Sequence, residues 1–156
     1  MGSAHRLTAP YQALRTRDGH VTVGGNNQKL WLRLCAVIGR EDLPEDPRFA
    51  ANADRMARRP QLVAELEAAL AERGTDEWVE AFLEAGVPAG PIHDYAQVVE
   101  DPHTQARDMI VSMEHPEAGT VYGLGIPVKL SGTPGSIRRP APLLGQHTDE
   151  VLAELR

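Results

Sequence analysis

A single cysteine, Cys35, stands among 156 residues, so an internal disulfide is excluded and no metal could draw on more than one thiolate. Cys35 falls among Leu30, Trp31, Leu34 and Ile38 at helical spacing, which reads as packing on an apolar face; the alternative is a reactive thiol. Long apolar runs are lacking as well. No stretch approaches the roughly 20 residues that a membrane helix needs, and the N-terminus lacks the basic-then-apolar layout of a secretory signal. A cytoplasmic protein away from any membrane is therefore expected. Positive charge is also in deficit: the net charge is −6, which leaves no field to displace counterions and argues against nucleic acid as a partner. Lys29 and Lys129 are the only lysines among 16 basic residues, a bias that reads as base composition with no function attached.

What is present suffices for one domain of ordinary size, with 42% hydrophobic residues. Residues 11–25 read as a hairpin, with strands Tyr11 to Thr16 and His20 to Gly24 around the turn pair Asp18-Gly19. A helix follows, capped by Asn26 or Asn27, carrying Leu30, Trp31, Leu34, Cys35 and Ile38, and ending at Gly39. Residues 40–59 are turn-rich because Pro44 and Pro47 forbid one continuous helix. Within them Arg55, Arg58 and Arg59 could hold phosphate, although a solvated helix face accounts for them more simply.

Pro60 suits the first turn of a helix to Arg73, with Leu62, Val63, Leu66, Ala69 and Leu70 as its stripe. Thr75 is expected to cap the next helix, whose Trp78, Val79, Phe82 and Leu83 face inward until Gly86 and Pro88 stop it. Beyond the breakers Val87 to Pro91, helical turns are expected at Tyr95 to Glu100 and Pro102 to Arg107. Strands are expected at Met109 to Glu114, Val121-Tyr122 and Val128 to Leu130. Residues 131–145, rich in glycine and proline, should lie extended, and a short amphipathic helix with Val151, Leu152 and Leu155 should follow. The fold class is therefore α+β: a small antiparallel sheet with several helices, then an extended C-terminal arm and a short terminal helix. That helix pattern breaks off at Arg156, as if its docking surface lay in a part of the protein outside these residues.

The six histidines stand singly, at 5, 20, 93, 103, 115 and 147, and no pair has the i, i+4 arrangement of a helical zinc site, so no metal is expected. No serine sits in a glycine-flanked strand-to-helix elbow. One segment carries chemical promise. Gly24-Gly25-Asn26-Asn27-Gln28 ends a strand and opens a helix, where glycines permit close approach of a ligand and the first amides are donors. The spacing is not that of a dinucleotide fingerprint, and pattern alone leaves a ligand loop and a plain capped turn both open.

Taken in order, several short motifs resemble the class III CoA-transferases, which include formyl-CoA:oxalate CoA-transferase, carnitine CoA-transferases and alpha-methylacyl-CoA racemases. They are Gly2-Ser3-Ala4-His5 with Ala9-Pro10-Tyr11, Asp18-Gly19, Gly24 to Gln28, and Ala85 to Pro91. Asp101-Pro102 to Met109, Glu114-His115-Pro116, Leu130 to Pro134 and Ala141 to Thr148 continue the series. The resemblance implies a two-domain enzyme whose interlocked dimer moves CoA between carboxylic acids, with CoA thioesters as substrates and no tightly bound cofactor. It implies that residues 1–10 are a linker from a large domain, 11–130 the small α+β domain, and 131–156 an arm and helix returning to the large domain.

The family's nucleophile, an aspartate that forms an aspartyl-CoA thioester, lies upstream of the matched part, and none of the aspartates here takes its place. This chain alone is thus expected to be inactive, with no catalytic residue of its own. Gly24, Gly25, Asn26, Asn27 and Gln28 would line the CoA cleft, with His5 and Tyr11 near its mouth. Ala4 to Thr8 falls where the formyl-CoA enzyme carries a glycine-rich lid, and this chain lacks those glycines. A racemase-like enzyme would place a glutamate near Asn27 to support a histidine base, so Asn27 favours transfer over racemisation; a non-catalytic assembly module is the reading from another class.

Overall fold

The computed structural model describes residues 2–155 and divides into two units, one reaching Ile92 and the other starting at His93. The break falls inside the 11–130 span. The Met1 end of the expected linker and the Arg156 end of the last helix lie outside the described residues.

In the first unit, β1 (Tyr11–Arg15) and β2 (His20–Gly24) form the expected hairpin, with Tyr11 opposite Gly24 and Arg15 opposite His20. The third strand is β3 (Ala89–Pro91), antiparallel to β2 in the order β1-β2-β3. Breakers at Val87 to Pro91 suggest only an irregular connection; pairing of Ala89 with Val23 and Pro91 with Val21 makes it an edge strand, where proline is tolerated.

Four helices complete the unit, α1 (Gln28–Val37), α2 (Asn52–Ala57), α3 (Arg59–Leu70) and α4 (Thr75–Glu84), with α3 against β1 and α4 against β2 and β3. Helix α2 was not legible within the turn-rich 40–59. Leu14, Val21 and Val23 of the hairpin pack with Trp31, Leu34, Phe49, Leu62, Leu66, Trp78 and Phe82 in one core. Trp31, Trp78 and Phe82 are core residues as expected and Val79 packs against them, but Leu83 is 55% exposed, lying off the stripe that Trp78, Val79 and Phe82 make.

Cys35 is fully buried, and desolvation pushes its thiol up to about 12. It is a packing residue, as the apolar-face reading holds. A disulfide reagent at pH 8 should therefore leave the native thiol unmodified and titrate it only after denaturation.

Helix α4 corrects a capping expectation. Thr75 is its first helical residue, and Gly74 is the cap. Glu77 accepts from Gly74 N at 2.9 Å, and Asp18 of the hairpin turn accepts from Thr75 N at 2.8 Å and Thr75 Oγ1 at 3.0 Å. A Cβ at position 74 would stand 2.7 Å from Asp18 Oδ2, so glycine makes room for this remote cap. The backbone hydrogen bond from Thr75, then that from its hydroxyl, hold the Asp18 carboxyl below the ordinary aspartate range. A carboxyl depressed by folding stabilises above its unfolded pKa and loses that contribution as pH falls through its folded value. Asp18→Asn should lower the Tm at pH 7, and its gap to wild type should close as pH falls below about 4.

In the second unit, α5 (Tyr95–Glu100) and α6 (Pro102–Ala106) begin at Asp94 and Asp101, whose carboxylates accept from Gln97 N and Thr104 N at 2.9 Å each. Strands β4 (Ile110–His115) and β5 (Gly119–Leu124) pair antiparallel, with Ile110 opposite Leu124. The expected strand at Val128 to Leu130 is not formed, since β propensity yields a strand only where a neighbour pairs with it. Residues 131–143 hold no helix or strand. Helix α7 (Thr148–Glu154) follows, with His147 as its cap in place of Thr148, and Arg139 and His147 both bond Glu150 at 3.0 Å.

Candidate functional site

All seven residues singled out in the sequence fall in the first unit. Tyr11 faces Gly24 across the hairpin, and His5 stacks on Tyr11 with ring centroids 5.1 Å apart and planes 17° from parallel. Gly24 N donates to Pro88 O at 2.9 Å. Gly25 packs on the leading segment: a Cβ there would meet Pro10 Cγ at 2.9 Å, so any side chain would push the two apart. Thr8 Oγ1 donates to Asn26 O at 3.0 Å. The leading segment 5–11 and the loop 24–28 therefore form one surface. Gly24 and Gly25 are buried in it, while His5, Tyr11, Asn26, Asn27 and Gln28 are exposed.

Asn27 is the cap of α1; its Oδ1 accepts from Leu30 N at 2.9 Å. That leaves the amides of Gln28 and Lys29 as the helix-start donors no i−4 carbonyl can satisfy. The first turn of α1 carries no acidic residue, so its positive end is not offset from within the helix.

Beneath the loop lies a residue that sequence reasoning misplaced. Arg55 is not on a solvated helix face but 1% exposed. Its Nε donates to Ala9 O at 2.7 Å, and its Nη1 donates to Phe49 O at 2.9 Å, Ala50 O at 3.0 Å and Gln28 Oε1 at 3.3 Å. The guanidinium lies over the Trp31 ring, 4.9 Å from its centroid. Burial lowers its pKa, yet an arginine stays charged. Asn52, one turn earlier on α2, accepts from Ala9 N at 3.1 Å and donates to Leu7 O at 3.0 Å. Arg59 reaches His5 O at 2.7 Å. The i, i+3 spacing of Asn52 and Arg55 was the one signal in the sequence that these two share a helix face.

Residues 1–148 match the profile of CoA-transferase family III. The chain belongs to that family. Among relatives, the succinyl-CoA:glutarate CoA-transferase of Homo sapiens is 34% identical over 154 residues, which are 99% of this chain and 35% of that protein. The acetyl-CoA:oxalate CoA-transferase of Acetobacter aceti is 38% identical over 157 residues, 100% of this chain and 38% of that protein. The crystal structure of a CAIB/BAIF family protein from Brucella suis superposes with a TM-score of 0.85 at 34% identity, covering 100% of this chain and 40% of that one.

This family III chain thus spans little more than a third of the length of these curated relatives. Its motifs from Gly2 to Thr148 fall within the profile match, and its α+β arrangement recurs in the Brucella suis structure. Among the described residues no group of three metal-ligating side chains gathers, and no helix is long and apolar enough to cross a membrane.

Proposed function

We propose that the protein to which this chain belongs moves CoA from an acyl-CoA to a free carboxylic acid. The observation that carries the reading is the family match over residues 1–148, supported by relatives at 34% and 38% identity that are named as CoA-transferases of dicarboxylic acids. In this reading an aspartate outside residues 1–156 attacks the acyl carbonyl and releases CoA thiolate, giving a mixed anhydride. The thiolate then attacks the aspartyl carbonyl, so the donor acid leaves as its carboxylate and an aspartyl-CoA thioester remains. The acceptor carboxylate repeats the sequence in reverse.

The first unit contributes the cleft wall. Gly24 and Gly25 let the loop pack closely on Pro88 and Pro10, the Gln28 and Lys29 amides face developing negative charge, and the His5–Tyr11 stack borders the mouth. Asn27 is uncharged and spends its side-chain oxygen on the helix cap, which leaves it unsuited to support a histidine base; this favours transfer over racemisation. Residues 131–156 act as the arm returning to the large domain, and two complete chains form the dimer. The chain of residues 1–156 by itself turns over nothing.

The test takes the complete protein with succinyl-CoA and either glutarate or oxalate. The new thioester should appear as the donor thioester disappears, with parallel-line ping-pong kinetics and no build-up of free CoA. Free CoA without a new thioester, or solvent deuterium entering the acyl alpha carbon without transfer, would count against it.

A further inference from the structure

We propose that Arg55 is the positioning residue of the Gly24–Gln28 loop, locking it to the leading segment through one guanidinium that holds both Ala9 O and Gln28 Oε1. The functional weight of that role rests on the loop lining the CoA cleft. Three side chains from α2 and the start of α3 grip alternate carbonyls of the leading segment: Arg59 holds His5 O, Asn52 holds Leu7 O and Arg55 holds Ala9 O. The segment bends at Arg6-Leu7 and again at Ala9-Pro10, so its carbonyls are held by these side chains and not by a neighbouring strand.

Arg55 also reaches the loop. Gln28, the first residue of α1, is tied at both ends of its amide, accepting from Arg55 Nη1 at 3.3 Å and donating through Nε2 to Ala50 O at 3.0 Å. The loop's exposed face is thereby fixed from below. Filling space does not account for the residue: all its hydrogen-bond partners are neutral oxygens, so the buried charge is a cost that only the bonds to those oxygens offset. What the guanidinium adds is a rigid planar fork, whose donors stand at fixed angles and bind several carbonyls at once. A lysine ammonium in its place keeps the charge and loses the fork.

The experiment has two arms. In hydrogen exchange on this chain, Arg55→Lys should speed the amides of residues 7–9 and 24–30 by about 10-fold or more, with α3 and α4 unchanged. Asn52→Ala should speed residues 7–9 and leave 24–30 at the wild-type rate. Loop amides unchanged in Arg55→Lys, equal acceleration throughout α3 and α4, or a loop loosened as much by Asn52→Ala would each overturn the assignment. In the complete enzyme, Arg55→Lys should lower kcat about 100-fold while KM for acyl-CoA moves less than about 3-fold, the mark of misplacement and not of lost binding. A loosened loop with unchanged kcat would confirm Arg55 as the loop's anchor and remove the loop from the reaction centre.

Discussion

Arg55→Leu is expected to lower the unfolding free energy of the first unit by about 2 kcal/mol or more. Leucine fills much of the space and relieves the buried charge, which by itself stabilises. It cannot serve the carbonyls of Ala9 and Phe49, which belong to the backbone and stay where they are, while Ala50 O keeps its bond from Gln28 Nε2. Each buried acceptor stripped of a charged donor costs about 1–3 kcal/mol, so the two of them outweigh the relief. Urea unfolding followed by the fluorescence of Trp31 and Trp78 should show the midpoint falling by about 2 M at an unchanged slope. A midpoint within about 0.3 M of wild type would mean that water or a backbone shift serves those carbonyls.

Trp78→Ala should cost about 3–5 kcal/mol. The ring is 2% exposed, stacks on Phe82 with centroids 5.8 Å apart, and its Nε1 donates to Leu70 O at 2.8 Å at the end of α3. The Arg73 guanidinium also lies over the ring, 4.7 Å from its centroid. One side chain therefore fixes the angle between α3 and α4, and its loss removes a large apolar surface together with the bond that closes α3. Trp78→Phe separates the two contributions: it keeps the aromatic packing and should lose only about 1 kcal/mol. A Trp78→Ala protein with an unchanged midpoint would show that α3 and α4 pack independently of this ring. Trp31 remains as the fluorescent probe in both variants.

The parts of the fold legible in the sequence are those where a local pattern agrees with its surroundings. Asp18-Gly19 between alternating residues marks the hairpin, and Leu62, Leu66 and Leu70 mark α3. What escaped depended on residues far along the chain. Ala89-Gly90-Pro91 has no strand character of its own and becomes β3 because β2 offers it a ladder. Val128 to Leu130 has the propensity and forms no strand.

Thr75 resembled a cap because threonine so often is one, and the carboxylate that serves α4 sits 57 residues earlier. The loop Gly24–Gln28 was visible as a strand end opening a helix, and Tyr11 and His5 do stand beside it. Arg55 was misread because an arginine near Asp54 and Arg58 has the composition of a wet helix face. Its burial is decided by Ala9, 46 residues away, and by Trp31 beneath it.

One measurement bears most directly on the division of labour proposed for this protein. The complete protein is incubated with an acyl-CoA donor and no acceptor, quenched in acid and digested, and the peptides are searched by mass for covalently attached CoA. The CoA should be found on a single aspartate outside residues 1–156, with the peptides of Gly24–Gln28 unmodified. CoA carried by any aspartate from Asp18 to Asp149 would contradict the account, because the nucleophile would then lie in the part read here as a wall of the cleft.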